Sequence, residues 1–403
     1  MTAPLDGFRV LDFGQGGAGP YCGQLLGDFG ADVIKVEPPR GDWGRTMGAK
    51  DVNLGFSGTY ASMNRNKRSV CLDLTKETAR EVAKELASES DVVIESFRPG
   101  AMERLGLGYE DIAAIQDRII YCSVSAFGQT GPLAGKPGSD SVMQPYGGLT
   151  AINGNPGQPP LRLGNIVSDM LAAMNAFSGV LLALQQQVHQ PGPRHVQVSL
   201  LDSIIAFQTS CFSEYLFTGE PPVQPGNRHP LLPTSGIIQT SDGHLTMAVL
   251  DHYWSEFCRA IGRLDLLEDP RFATADARQE HRVPLWDELE TTFALRTTRE
   301  WLELLESLQI LSGPVNDYPA VVSDPQVAHN GILSSVARAD GRSIPMVRAP
   351  ISITGIDQRM AFPPALGEHT DAVLTEVLAY HSSRIAELRR DGSIGGPAAP
   401  ENP

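Results

Sequence analysis

Residues 8–37 read FRVLDFGQGGAGPYCGQLLGDFGADVIKVE. Phe8–Phe13 is a short apolar run of strand length, and a glycine-rich turn follows from Gly14 to Gly19. Pro20 lacks the amide hydrogen that the first turn of a helix leaves unpaired anyway, so it opens a helix that runs to about Phe29. Asp32–Glu37, DVIKVE, is a second buried strand. Two strands joined through a helix make a βαβ unit, because parallel strands need a crossover. The alternation continues with SVCLDL, a helix from Thr78 to Ser88, DVVIES and IIYCSVSAF. These segments predict an α/β protein built on a Rossmann-like, doubly wound parallel sheet.

The turn itself, Gly14-Gln15-Gly16-Gly17-Ala18-Gly19, fits GxGxxG, follows a strand and opens a helix. With Glu37 closing the next strand, it matches the placement of a dinucleotide-binding turn and its ribose-binding acid. A second reading is purely conformational: glycines permit the tight turn and the close packing of helix on strand.

At 403 residues the chain is long enough for two domains. The apolar and charged shares, 41% and 20%, are those of a globular protein in water. A net charge of -15 argues against nucleic-acid binding through bulk electrostatics, so an anionic ligand needs a local basic pocket. Five dispersed cysteines, with no CxxC pair and no metal spacing with histidine, suit buried thiols in a reducing cytoplasm and predict no metal site. MTAPLDGFRVLDF is no secretory leader, and no apolar run approaches the ~18 residues of a bilayer span. A cytoplasmic protein without a membrane role is the expectation.

A large domain is expected from residues 1–220 plus 325–403. The proline- and glycine-rich segment 219–233 leads to a smaller α+β domain, 225–324, in which IIQTSDGHLTMAV reads as two strands about an Asp-Gly turn. The tail 391–403, DGSIGGPAAPENP, reads as disordered.

Residues 164–184, GNIVSDMLAAMNAFSGVLLAL, set Met170, Met174, Phe177, Leu181 and Leu184 on one apolar helical stripe headed by a single acid, Asp169. Ser168 or Asp169 can cap that helix, and a carboxylate there can also face a cleft and act as a nucleophile. Asp140, on a loop before a weakly helical run, again reads first as a cap. Arg40, Arg65, Lys67, Arg68, Arg98 and Arg104 are surface charges by default. They fall at strand ends and loop starts, where a parallel sheet binds phosphates, and Phe97 among them can stack on a purine.

The ordered set PLDGFRVLDF, AGPYCGQLLGDFGADVIKVEPP, GDWGRTMG, NRNKRSVCLDL, DVVIESFRPGAMERLGLGY, SAFGQTGP, the Asp169 helix, VQVSLLDS and PALGEHTDAVL closely resembles the family III CoA-transferases. That family includes formyl-CoA transferase, carnitine CoA-transferase and, as a divergent branch, α-methylacyl-CoA racemase. The resemblance covers nearly the whole chain and displaces the dehydrogenase reading. It implies a catalytic Asp169 that exchanges thioester for anhydride, with coenzyme A or acyl-CoA as substrate, a carboxylate acceptor, no metal and an interlaced homodimer. It also implies that Gln15 and Gly16 approach CoA beside the catalytic carboxylate and that Asp140 supports the site. Lys67, Arg68, Leu72, Phe97, Arg104 and Lys136 match positions that hold CoA. Ser96 stands where formyl-CoA transferase has asparagine. Pro38 and Pro39 replace a basic pair, for which Arg40 can substitute.

Racemization needs two acid/base groups on opposite faces of the α-carbon. The racemase branch supplies a histidine that is Ser139 here, in Gly138-Ser139-Asp140, so the transferase is the first reading. A 2-methylacyl-CoA racemase and a non-catalytic acyl-CoA binding protein are the alternatives. Formyl-CoA transferase's multi-glycine loop is replaced by Gly226-Asn227-Arg228-His229-Pro230, where Arg228 is a surface arginine or a contact for a substrate carboxylate.

Overall fold

The structure, a computed structural model, describes residues 3–51, 55–338 and 340–396. The chain forms two compact units. One draws on Met1–Leu149, Arg162–Glu220 and His329–Pro403, and the other on Thr150–Leu161 and Pro221–Ala328.

In the first unit β1 (Arg9–Asp12) and β2 (Asp32–Glu37) flank the helix α1 (Ala18–Asp28). A small hairpin, β3 (Lys50–Asp51) and β4 (Phe56–Ser57), follows. Then come β5 (Lys67–Leu72), β6 (Val92–Glu95), β7 (Ile120–Ser125) and β8 (Arg194–Ser199). These six longer strands pair in parallel in the order β5-β2-β1-β6-β7-β8. From β1 the chain winds outward to β2 and β5, then returns to lay β6 against the other side of β1. The reversal leaves a crevice beyond the carboxyl ends of β1 and β6, the place where open α/β sheets bind ligands.

Neighbouring residues of a strand point to opposite faces, and here both faces are covered. Val10, Val33, Val92, Ile94 and Ile120 pack under α1 and the helix Val167–His189. Leu11, Ile34, Val70, Val93 and Tyr121 pack under the helices Glu77–Ser88, Thr370–Leu378 and Ser382–Arg390. Full burial of such side chains stabilises the fold by about 1.5–3 kcal/mol each.

Three sequence expectations are corrected in this unit. The buried face of the helix Val167–His189 is Ala172, Ala173, Ala176, Val180 and Ala183, with Phe177, whereas Met174 is 43% exposed. Small side chains let this helix lie close to α1 and to the helix Leu200–Phe207, so the larger residues are displaced sideways. The same helix, 23 residues long with a mean hydropathy of 1.6 over its most apolar window, is long and apolar enough to cross a membrane, contrary to the sequence expectation. Finally, the chain beyond Arg390 does not lose structure at once. β14 (Ile394–Gly395) adds antiparallel to β5 because Ile394, opposite Leu72, is an apolar residue that completes the core. Residues 397–403 lie outside the described residues.

A further hairpin in the first unit pairs β12 (Leu333–Ala337) with β13 (Ser343–Val347). The second unit is a three-stranded antiparallel sheet, β9 (Ser235–Gln239), β10 (His244–Ala248) and β11 (Leu311–Pro314), covered by helices around Phe257, Trp286, Phe293 and Trp301. The Asp242-Gly243 pair lies in the β9–β10 turn, where the sequence predicts it.

Candidate active site

The crevice is walled by the turn after β1. Asp12 Oδ1 accepts the Gly14 amide at 2.7 Å and Lys35 Nζ donates to the Gly14 carbonyl at 2.7 Å. Ser96 Oγ, just past β6, accepts the Gln15 amide at 3.1 Å, and Asp42 Oδ1 accepts the Gly16 amide at 2.9 Å. Gly16 has φ +76°, and a methyl group there would sit 1.9 Å from the Trp43 ring. The glycine pattern thus serves a tight turn under an indole. Glu37 offers nothing to a ribose: it is fully buried and bound by Arg45, Ser69 and the Asp42 amide, and against the opposing effect of burial Arg45, Lys35 and Ser69 hold its carboxyl below the usual range. The dinucleotide reading fails on that burial.

Asp169 lies in the first turn of Val167–His189. A methyl group on Gly17, the residue before α1, would be 2.9 Å from its Oδ2, so the carboxylate rests against backbone at the head of a second helix. Neither Ser168 nor Asp169 caps its own helix through its side chain. Asp140, buried at the head of the helix Asp140–Tyr146, does so from outside: its Oδ1 accepts the Ser168 amide and hydroxyl, both at 2.8 Å. Its Oδ2 is held by Gln144 at 2.8 Å and Arg162 at 3.2 Å. Among the described residues nothing hydrogen-bonds the Asp169 carboxyl. Burial, and then the nearby Asp140 charge, push it up to about 7.

Three cavities adjoin along the carboxyl edge of the sheet. One of about 280 Å³ contains Asp169, Gln15, Gly17, Trp43, Ser96 and Ser139. A second, about 480 Å³ and mostly apolar, lies between Pro39, Leu72, Leu74 and Leu105, with Arg40 at its side. A third, about 120 Å³, has Arg98 and Lys136 among its walls. Phe97 borders all three, and its amide is fixed by Glu95 Oε2 at 2.8 Å.

The crevice thus gathers Gln15, Arg40, Leu72, Ser96, Phe97, Lys136 and Asp169 from scattered positions, with Gly16 and Asp140 holding its frame. It does not gather the other three expected contacts. Lys67 is enclosed, its ammonium satisfied by Asp12, Asn64 and the Pro20 carbonyl, which leaves no donor for a phosphate. Arg68 is paired with Asp32 and Glu376, and Arg104 is exposed on the short helix Ala101–Arg104, bordering none of these cavities. Arg228, in the second unit, stacks 3.7 Å over Trp286 and pairs with Glu290. The sequence reading missed Asp42 and Trp43. Asp42 caps the short helical turn Trp43–Thr46, and Asp-x-Gly in GDWG is the local signature that could have found it.

Fold and crevice define an α/β enzyme of the doubly wound class, with an elongated ligand cleft that ends at a partly buried carboxyl group. Residues 5–370 match CoA-transferase family III, and the chain belongs to that family and is a CoA-transferase. It is 34% identical to the succinate–glutarate CoA-transferase of Agrobacterium fabrum over 93% of this chain and 96% of that one. It is 36% identical to the succinyl-CoA–D-citramalate CoA-transferase of Chloroflexus aurantiacus over 96% and 97%. A CAIB/BAIF family protein from Brucella suis superposes with a TM-score of 0.85 at 33% identity, covering 94% of this chain and all of that one.

Proposed function

We propose that Asp169 carries the transfer covalently. Its carboxylate oxygen attacks the donor thioester carbonyl, breaking the C–S bond to give an aspartyl mixed anhydride and CoA thiolate. The thiolate then attacks the aspartyl carbonyl, releasing the donor acid as a carboxylate and leaving an aspartyl-CoA thioester. An acceptor carboxylate attacks that thioester to form a second anhydride, and the returning thiolate attacks the acceptor's carbonyl. This yields the new acyl-CoA and restores Asp169. The observation that carries the reading is the position of Asp169: in the crevice, without a hydrogen-bond partner among the described residues and bordering one cavity with the glycine turn. An unsolvated carboxylate is a stronger nucleophile than a hydrated one, and the adjoining helix N-termini favour the developing oxyanions.

In this reading adenine lies in the apolar cavity against Leu72 and Phe97, Arg40 and Lys136 meet phosphates, and pantetheine passes Phe97 and Ser96 toward Asp169. Relatives named for succinate, glutarate, citramalate and oxalate support short dicarboxylic acids as donor and acceptor. Racemization is disfavoured because the Asp169 cavity contains no histidine among its described walls and has Ser139 where a second base is needed. We further propose a cytoplasmic homodimer. Leu182, Val188, Leu216 and Phe217, 69–91% exposed on two helices of one unit, form the kind of apolar surface that a second copy covers.

The test is intact-protein mass spectrometry after incubation with succinyl-CoA, acetyl-CoA and other donors, with hydroxylamine trapping and peptide mapping. An adduct on Asp169 that is lost in Asp169→Asn supports the reading. No adduct with any donor, despite CoA binding, overturns it.

A further inference from the structure

We propose that the buried ion pair Lys35–Asp42 is a positioning device for catalysis, a strut that sets the Gln15–Gly17 turn against Asp169. Lys35 Nζ lies 2.9 Å from Asp42 Oδ2, and both side chains are fully buried. A buried pair is costly to desolvate, and a hydrophobic pair of similar volume often serves stability equally well. Its geometry here shows what its charges are for, because each partner also bonds to the same turn. Lys35 donates to the Gly14 carbonyl at 2.7 Å. Asp42 Oδ1 accepts the Gly16 amide at 2.9 Å and the Gly44 amide at 2.8 Å.

The turn is therefore gripped on both sides of Gln15. The carbonyl before it is held from β2 and the amide after it from the loop that follows β2. Asp42 also fixes the start of Trp43–Thr46, whose indole covers Gly16. Gly17 follows directly, and a methyl group there would lie 2.9 Å from Asp169 Oδ2. A displacement of about 1 Å there would misalign the attacking oxygen, and such errors cost up to about 10²-fold in rate. Asp12, itself paired with Lys67, and Glu37, paired with Arg45, are the charged groups around the strut. Both have their own cations, so Lys35 is the partner that balances Asp42.

This inference rests on the covalent role of Asp169, and its test separates the two. Three variants of the full chain are compared. Asp42→Ala removes the acceptor, Lys35→Met/Asp42→Ala removes both charges together and leaves no unpaired ion, and Asp42→Asn keeps an oxygen for Gly16. Hydrogen exchange is followed across the peptide spanning residues 13–23. The single-turnover rate of Asp169 adduct formation is measured beside the Kd for CoA. In the first two variants, exchange in that peptide rises about tenfold. Adduct formation slows by about 10–100-fold, while CoA binding stays within about threefold. Asp42→Asn, which keeps the oxygen for Gly16 but breaks the ion pair, slows adduct formation less than Asp42→Ala does. Unchanged exchange across the turn, or a slower rate that tracks only the loss of folded protein, overturns the strut. If the wild type forms no adduct with any donor, the covalent reading fails by itself, and hydrogen exchange still decides the strut.

Discussion

Asp140 and Ser168 are joined twice, since one carboxylate oxygen accepts both the amide and the hydroxyl of the serine at 2.8 Å. The helix that carries Asp169 is thus started by an acid from a different helix. That acid also raises the affinity of Asp169 for its proton. Asp140→Ala removes the cap and costs about 1–2 kcal/mol of stability, measurable by denaturant unfolding. Asp140→Asn keeps an oxygen for Ser168 and removes the charge, so the pH midpoint of Asp169 adduct formation falls. A midpoint that stays put would show that Asp140 acts only through shape.

The pH dependence follows from the same pair. Asp169 attacks only when ionised, so adduct formation rises with pH through about 7 and levels off above it. Because its carboxyl is raised from 3.8 in the folded state, the fold holds a proton that the unfolded chain releases. Stability contributed by Asp169 is therefore greatest at low pH and declines as pH rises through that interval. Asp169→Asn should melt at a higher temperature than wild type at pH 8, with the difference vanishing near pH 4. Scanning calorimetry at the two pH values checks this, and equal melting curves at pH 8 would contradict it.

Much of this architecture is legible in residues 8–37, because strand, glycine turn, helix and strand are all set by local pattern. The charged network beneath the turn is not. Lys67 reads as a surface cation in NRNKRS, and only the fold brings Asp12, from the first strand, to its ammonium. Lys35 looks like the polar interruption of an apolar strand, yet it reaches both Gly14 and Asp42. The apolar stripe of the Asp169 helix misled for a related reason: hydropathy ranks methionine above alanine as a core residue here, whereas close packing on α1 selects the small side chain. The catalytic role of Asp169 came from the family resemblance. A lone acid at a helix start reads first as a cap, and only second as a nucleophile facing a cleft.

Gly17→Ala tests how closely the carboxylate must approach the turn. The added methyl group meets Oδ2 at 2.9 Å and Cγ at 3.2 Å, so Asp169 must rotate away. The φ at Gly17, -108°, lies outside the left-handed region that favours glycine. Adduct formation should fall by about 10²-fold. The melting temperature should hardly change. A rate within threefold of wild type would mean that Asp169 does not act from this position.

Lys67 and Arg40 separate a cation of the core from a cation of the ligand site. Lys67→Met leaves the Asp12 carboxylate buried without its nearest countercharge, and breaking such a pair costs about 3–5 kcal/mol. Burial pulls the Lys67 ammonium down to about 8 even against the Asp12 carboxylate, which raises it. Arg40 is exposed beside the apolar cavity and makes no ion pair among the described residues. Arg40→Ala should leave stability within about 0.5 kcal/mol. It should weaken CoA binding by about 3–10-fold at low salt, and less as salt screens the phosphate. Calorimetric titration with CoA at two ionic strengths, beside urea unfolding, distinguishes the pair. Equal CoA affinity in wild type and Arg40→Ala at low salt would remove Arg40 from the phosphate site and leave Lys136 as its candidate cation.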